Sequence, residues 1–418
     1  MKIACIGNMN NMMFPICLYL IDEGYNVTLY YLDEYEHFLP SKELIPNQLK
    51  TVYLGWNEAT FSEISSSKIK NIFKDFDFFI GTDYAAAYLR KAKIRLDIYM
   101  PAGSDLFDWP FRRFTNCPPH TWEINKVQCS RNQMLGIRYA KFISLDYTNN
   151  NMEQYLSNIS CKGKRIKVLP FHYFNNGILA SIKINFALET DFLVLQQSRQ
   201  AWKYPDENPH NKGNDVLIIG FASFIKKVNA NAKLLLLRYG EHIEETENLI
   251  ERLGIQDNVQ WIQQRHKDEI ISIIEKADIC VGNLNNSFLS YGSVYEALAC
   301  KTAFMGYRED ELYKNEYKKL YPMINVNKPE DVANKLEYYY QNREELKILG
   351  ELGHNWLIKF AINPSVNEVL EIVKKHNGRK KLPIDWKLLA MQPYFLFIRI
   401  YNIFTLYLKK IFKLDSSN

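Results

Sequence analysis

Phe288-Leu-Ser-Tyr-Gly292-Ser293-Val-Tyr-Glu296-Ala-Leu-Ala-Cys300-Lys-Thr-Ala-Phe304, followed by Met305 and Gly306, is the stretch on which the reading of this chain turns. An apolar strand ending near Val281 runs through the polar loop 283–290 into Gly292 and Ser293, then a helix, then a second apolar strand. The free N–H groups and positive dipole end of such a helix favour an anion, and glycine lets a phosphate approach. Glu296, one turn in, is placed to accept hydrogen bonds from two neighbouring ribose hydroxyls. The same four residues, Ser293 to Glu296, also spell a capping box, in which Glu296 only returns to the Ser293 N–H.

Outward from that stretch, short apolar runs alternate with amphipathic ones. In the first half strands are expected at 2–6, 26–31, 50–53, 76–81, 94–100, 139–145 and 165–170, with helices such as 11–23, 63–75 and 119–136 between them. After residue 190 strands are expected at 192–195, 233–239, 258–261, 278–281, 303–306 and 323–326. Helices belong near 212–229, 242–253, 266–276, 293–300, 328–347 and 363–376. Strand–helix alternation implies parallel pairing, and two such series imply two doubly wound α/β units. The rhythm breaks over 170–187, so the expected domains are 1–180, 181–362 and a C-terminal segment 363–418. Ligands of open parallel sheets bind beyond the carboxyl ends of the strands.

With 418 residues and 47% hydrophobic side chains, the chain can bury two substantial cores. From 379 to 418 eight Lys or Arg face only Asp385 and Asp415. Taking that net +6 from the whole-chain +5 leaves about −1 for the rest. A neutral body argues against a nucleic-acid protein. Seven scattered cysteines, without CxxC or Cys/His spacing, suggest neither a disulfide framework nor a metal site, and fit a reducing compartment. The start Met-Lys-Ile-Ala-Cys-Ile-Gly reads as a strand into a turn, not an export signal. The tail from Trp386 is basic and aromatic. Pro393 would start a helix with Arg399, Asn402, Lys409 and Lys413 on one stripe and Phe, Ile, Leu and Tyr elsewhere. Its apolar length is short of the roughly 20 residues needed to span a bilayer. Residues 386–418 are therefore expected on a membrane surface, at the cytoplasmic face, or else packed on the body or a second subunit.

Arg199 follows the first strand of the second unit, and Lys212-Gly213 opens the next helix. Two fixed cations at one cleft mouth would neutralise a diphosphate and stabilise it as a leaving group. For either alone, solvated surface charge is the commoner reading.

Taken together, these segments resemble the donor-binding domain of GT-B glycosyltransferases, in particular the large retaining family (family four, glycosyl transferases group 1). The matching text is Arg199, Lys-Gly-Asn-Asp-Val-Leu from Lys212, Asn-Ala-Lys-Leu-Leu-Leu-Leu-Arg-Tyr-Gly from Asn231, Leu-Gly-Ile-Gln-Asp-Asn-Val-Gln-Trp from Leu253, Ala-Asp-Ile-Cys-Val from Ala277 and the quoted stretch from Gly292. The resemblance implies a transferase, such as a hexosyltransferase, that retains configuration and uses a nucleotide-diphosphate-sugar without metal or other cofactor. By position, Arg199 and Lys212 would bind the diphosphate, Glu296 the ribose, and the backbone around Gln264 and Arg265 the base. The family usually has a further glutamate eight residues before Glu296, where this chain has Phe288. Asn286, Ser290 or Tyr291 would then take that role.

In the first half, Gly7, Asn8, Met9, Asn10 and Asn11 stand where the family often has a glycine-rich loop near donor phosphates and acceptor. Asp105, within Met-Pro-Ala-Gly-Ser-Asp from Met100, is the candidate for orienting or deprotonating the acceptor hydroxyl, or is an Asx turn or helix cap. The acceptor is expected to be a glycan or a lipid-linked surface-polysaccharide precursor. A nucleotide-sugar epimerase would require an acid/base set that is not found, and a dehydrogenase a G-x-G-x-x-G turn that Gly7 to Asn10 does not supply. A GT-B homologue that binds without catalysing remains the reading from another class.

Overall fold

The computed structural model describes residues 1–32, 45–112, 124–145, 152–168, 190–205, 208, 210–289, 292–378 and 382, and within the tail 393, 396–397, 400–401 and 404. Two parallel sheets organise them. The first takes β1 (Lys2–Ile6), β2 (Asn26–Tyr31), β3 (Lys50–Tyr53), β4 (Phe78–Gly81), β5 (Ile98–Tyr99), β6 (Phe142–Ser144) and β7 (Lys164–Ile166), in the order β3-β2-β1-β4-β5-β6-β7. The second takes β8 (Phe192–Gln196), β9 (Ala232–Leu237), β10 (Val259–Ile262), β11 (Ile279–Val281), β12 (Ala303–Gly306) and β13 (Ile324–Asn325), in the order β10-β9-β8-β11-β12-β13.

In each sheet the winding direction reverses once. The reversal falls between β1 and β4, where Ile6 pairs with Gly81, and between β8 and β11, where Gln196 pairs with Val281. At a reversal the flanking connections leave on opposite faces, so their loops part and open a crevice at the strand ends. Both candidate loops of the sequence reading, after Ile6 and after Gln196, sit at such a point.

Parallel strands are covered on both faces, so their sequences are continuously apolar rather than alternating. Ile3, Ala4 and Cys5 are fully buried, as are Val194, Leu195 and Leu234 to Leu236. In the first unit the helices are α1 (Met13–Asp22), α2 (Ser66–Phe73), α3 (Ala85–Lys91), α4 (Ser104–Phe107), α5 (Ile124–Arg138) and α6 (Met152–Asn158). In the second they are α7 (Asn214–Val228), α8 (Ile243–Leu253), α9 (Lys267–Ile274), α10 (Gly292–Ala299), α11 (Asp310–Tyr313), α12 (Pro329–Gln341) and α13 (Arg343–Trp356). A π-turn, Leu357–Ile362, leads from α13 into α14 (Asn363–Lys374).

α14 returns to the first unit. Val366, Val369 and Leu370 lie against Ile16, Tyr19 and Leu20 of α1, so one hydrophobic cluster runs through both units. Beyond it, Lys374 reaches Glu23 at 3.3 Å, and His376 stands 3.5 Å from Asp97 with its ring edge-on to Phe78.

Two expectations are corrected. The helix read as 328–347 is two helices, because Asn342, at φ −122° and ψ 59°, ends α12 and Arg343 begins α13. The strand read as 94–100 narrows to Ile98–Tyr99. The expected domain boundary at 170–187 lies outside the described residues. Within the tail, Pro393, Leu396, Phe397, Ile400, Tyr401 and Phe404 are helical. The last five are 47–66% exposed, so these side chains are not packed on the body. Among the described residues no helix is long and apolar enough to cross a membrane.

Candidate functional site

At the reversal in the second sheet two loops meet, the long connection from β8 to α7 and the loop after β11. Neutral side-chain amides stitch them together. Asn214, the first residue of α7 and fully buried, accepts from Ala201 N (3.1 Å) and donates to Gln196 Oε1 (2.9 Å) and Arg199 O (3.3 Å). Asn211 accepts from Gly213 N and donates to Tyr204 O, while its carbonyl receives Asn283 Nδ2 (3.3 Å) and Asn286 Nδ2 (3.2 Å). Between them the Lys212 backbone is held on both sides, its N–H to Ala201 O at 2.7 Å and its carbonyl to Leu284 N at 3.1 Å.

This framework presents two cations together. Arg199 donates from Nη2 to His210 Nδ1 at 2.9 Å and has Nη1 3.7 Å from Glu241 Oε1. Burial holds the Lys212 ammonium below the usual lysine range, the Arg199 charge lowers it further, and Glu241 opposes both. Tyr239 reports the third member. Burial raises its phenol, Arg199 pulls it back and Glu296 raises it again, so cation and carboxylate both act on one ring. Glu296 is 2% exposed on α10. A Cβ at Gly292 would lie 3.6 Å from Glu296 Oε1, so the carboxylate reaches back over the first turn of its own helix, as both sequence readings require. Gly292 is exposed and Ser293 half-buried at that helix start. Arg199 thus acts on both Lys212 and Tyr239, Glu296 acts on the same Tyr239, and Gly292 stands beside the Glu296 carboxylate.

Ser290 and Tyr291 lie outside the described residues. The loop before them is braced from the segment after β12. Glu309 N donates to Ser287 Oγ (2.9 Å), Tyr313 Oη to Ser287 O (3.0 Å) and Tyr321 Oη to Leu289 O (2.8 Å). Asn286 spends its amide on Asn208 O and Asn211 O, which ties down the alternative offered for the glutamate that Phe288 replaces. Sequence reading missed the amides of Asn211 and Asn214 and the hydroxyls of Tyr239, Tyr313 and Tyr321. Lys-Gly-Asn at a helix start was a signal for the amides, but nothing separated those tyrosines from ordinary core. Gln264 and Arg265 are exposed beyond β10, two strands from β8, with Arg265 3.6 Å from Glu269.

At the other reversal Gly7 has φ +84°, and a Cβ there would meet Thr82 Cγ2 at 2.8 Å, so only glycine fits between β1 and β4. Asn8 is a helix cap, its Oδ1 accepting from Met13 N and Phe14 N at 3.0 Å each. Asn10 lies in the turn Met9–Asn11; its side chain is outside the described set. Asp105 is fully buried. It accepts from Ala102 N, Gly103 N, Asp83 N and Tyr99 Oη at 2.7–3.1 Å. Burial raises its carboxyl, and the Tyr99 hydroxyl and those amides draw it back. A carboxylate with four donors and no exposure cannot meet an acceptor hydroxyl as placed. The geometry is that of the turn-organising reading, and it corrects the general-base one.

Among the described residues no group of three or more His, Cys, Asp or Glu is placed to hold a metal ion.

Two doubly wound units of this order are the architecture of the GT-B fold. Residues 206–356 match the family described as glycosyl transferases group 1, a stretch containing Lys212, Gly292 and Glu296. The chain is a glycosyltransferase of GT-B fold. No curated protein matches it in sequence. Among solved structures, HepE of Anabaena, in complex with UDP, superposes with a TM-score of 0.57 at 13% identity, covering 90% of this chain and 100% of its own. Sucrose-phosphate synthase of Thermosynechococcus elongatus gives 0.56 at 12%, covering 90% and 98%. WaaG, a glycosyltransferase involved in lipopolysaccharide biosynthesis, gives 0.56 at 14%, covering 90% and 100%. At such identities the likeness is one of fold.

Proposed function

We propose that the chain transfers a sugar, of hexose type, from a nucleotide-diphosphate-sugar to a hydroxyl of a glycan or lipid-linked acceptor used in surface-polysaccharide assembly. Configuration at the transferred carbon is retained and no metal takes part. The observation that supports this reading is that Arg199 acts on the Lys212 ammonium and, with Glu296, on the Tyr239 phenol, beside the reversal of the second sheet. The UDP bound by HepE supports the donor class, and the lipopolysaccharide role of WaaG the acceptor class.

In the transfer the bond from sugar C1 to the β-phosphoryl oxygen breaks, and its electron pair leaves with the diphosphate. The acceptor oxygen bonds to C1, and its proton passes to the departing phosphoryl oxygen on the same face. Arg199 and Lys212 are already fixed where that negative charge grows, so little reorganisation is needed during the step. Glu296 holds the ribose, and the chain at Gln264 and Arg265 borders the base. The Gly7 turn lets phosphate and acceptor approach from the first unit. Asp105 acts indirectly, by shaping the turn 102–105 beside that approach. Closure of the two units then excludes water. We assign the protein to the cytoplasmic face of a membrane, reached through the tail.

A thermal-shift screen of nucleotide-sugars on wild type and Glu296→Ala tests the donor site. Wild type should be stabilised by at least one nucleotide class and the variant much less. No stabilisation of wild type, or an equal response from the variant, would remove the assignment.

A further inference from the structure

Three consecutive residues just beyond β8 carry buried donors that nothing among the described residues satisfies: Gln197 Nε2, Ser198 Oγ and Arg199 Nε. Gln197 as a whole is 9% exposed. The turn holding them is otherwise well bonded. Tyr239 Oη donates to Gln197 O at 3.2 Å, and Gln200 N donates to Tyr239 O at 2.8 Å. The unpaired donors therefore belong to a rigid segment. An unpaired buried donor destabilises the fold, and native structures retain few. Three in a row directly beyond β8, the last of them on the Arg199 whose charge acts on Lys212, fit a site whose acceptor arrives with a ligand.

We infer that Gln197 and Ser198 bind the donor's phosphoryl oxygens together with Arg199, forming a three-donor cradle beneath the diphosphate. This rests on the donor-site reading above and assigns it two further side chains. All three groups donate, so the partner must offer several acceptors within one small volume, as a diphosphate does. Glu241 is the group that gives way. It is half-exposed, stands 3.7 Å from Arg199 Nη1, and is the anion facing the cations before a ligand arrives.

The test uses full-length Ser198→Ala and Gln197→Met, with inorganic pyrophosphate, uridine diphosphate and guanosine diphosphate as probes. Removing an unpaired donor should leave the melting temperature of the free protein unchanged or slightly higher. The dissociation constant of any bound diphosphate should rise about tenfold per variant, the usual effect of losing a hydrogen bond to a charged group. A melting temperature that falls, with or without affinity, would give both residues a fold role and overturn the inference. So would unchanged affinity in both variants while wild type binds. If wild type binds none of the probes, the donor-site reading itself fails.

Discussion

Lys212 shows how burial becomes a measurable property at the scale of one residue. Its ammonium is held below the ordinary lysine value of about 10.4, first by burial and then by Arg199. The free folded protein therefore binds this proton less tightly than the unfolded chain does. Across the window between the two values, stability of the free protein rises with pH. Diphosphate affinity moves the other way, because the anion needs the charged form. We expect nucleoside diphosphate binding, followed by calorimetry, to weaken as pH rises through the lowered value, before an ordinary lysine titrates. Lys212→Arg should bind through that range without the loss, since a guanidinium keeps its proton. Affinity that stays flat in wild type up to pH 10 would remove Lys212 from the anion's surroundings. Arg199, Lys212 and Glu296 stand out in the sequence because charge, glycine and helix start fall together in short motifs. The roles of Asp105 and Asn8 do not, because caps and catalytic sites draw on the same residue types. Only the bonds they make, four donors to Asp105 and two backbone amides to Asn8, tell the uses apart.

Among elements, the decisive contact is between two loops that are far apart in sequence. Gly213 has φ +65°, and a Cβ on it would lie 2.9 Å from Asn285 N. Here the start of α7 touches the loop after β11, so the Lys212 loop and the loop leading to α10 keep a fixed spacing. Gly213→Ala would bring a left-handed strain of about 1–2 kcal/mol and push the 283–286 turn away. We expect a loss of about 1–3 kcal/mol in stability, read by denaturant titration, from strain and displacement together. Diphosphate affinity should fall as well, because Lys212 and Gly292 would no longer face one ligand. Stability lost with affinity intact would mean that this spacing does not matter to binding. The strands were read to within a few residues because parallel sheets write themselves as short, continuously apolar runs. The break at Asn342 was not, since α12 and α13 continue one another's amphipathic pattern and no Gly or Pro stands between them. The amide stitches were equally hidden, because Asn in a loop is ordinary until its partners are known.

At the scale of the whole molecule, charge and exposure divide the chain into a neutral body and a basic, apolar tail. Leu396, Phe397, Ile400, Tyr401 and Phe404 recur at helical spacing and stay 47–66% exposed, an uncovered apolar stripe beside the positive charges of the sequence. An interfacial helix gains from burying such a stripe at the headgroup boundary, and each Lys or Arg near an anionic leaflet adds about 1 kcal/mol. Neither contribution suffices alone. Together they would hold the protein on an anionic bilayer at low salt and release it as salt screens the charges. The full chain should float with vesicles containing about a third anionic phospholipid, remain unbound with neutral ones, and dissociate as salt is raised. Removal of 386–418 should abolish flotation while leaving the diphosphate dissociation constant unchanged, because no residue of the crevice lies in that segment. Leu396→Glu with Ile400→Glu should do the same without shortening the chain. Undiminished flotation after truncation would place any membrane contact on the body. A truncated protein that also loses diphosphate binding would show instead that the tail supports the fold. Retained turnover on a water-soluble acceptor, with loss on a vesicle-embedded one, would connect the surface to the chemistry: the tail would then bring the crevice to an acceptor it cannot draw out of the lipid.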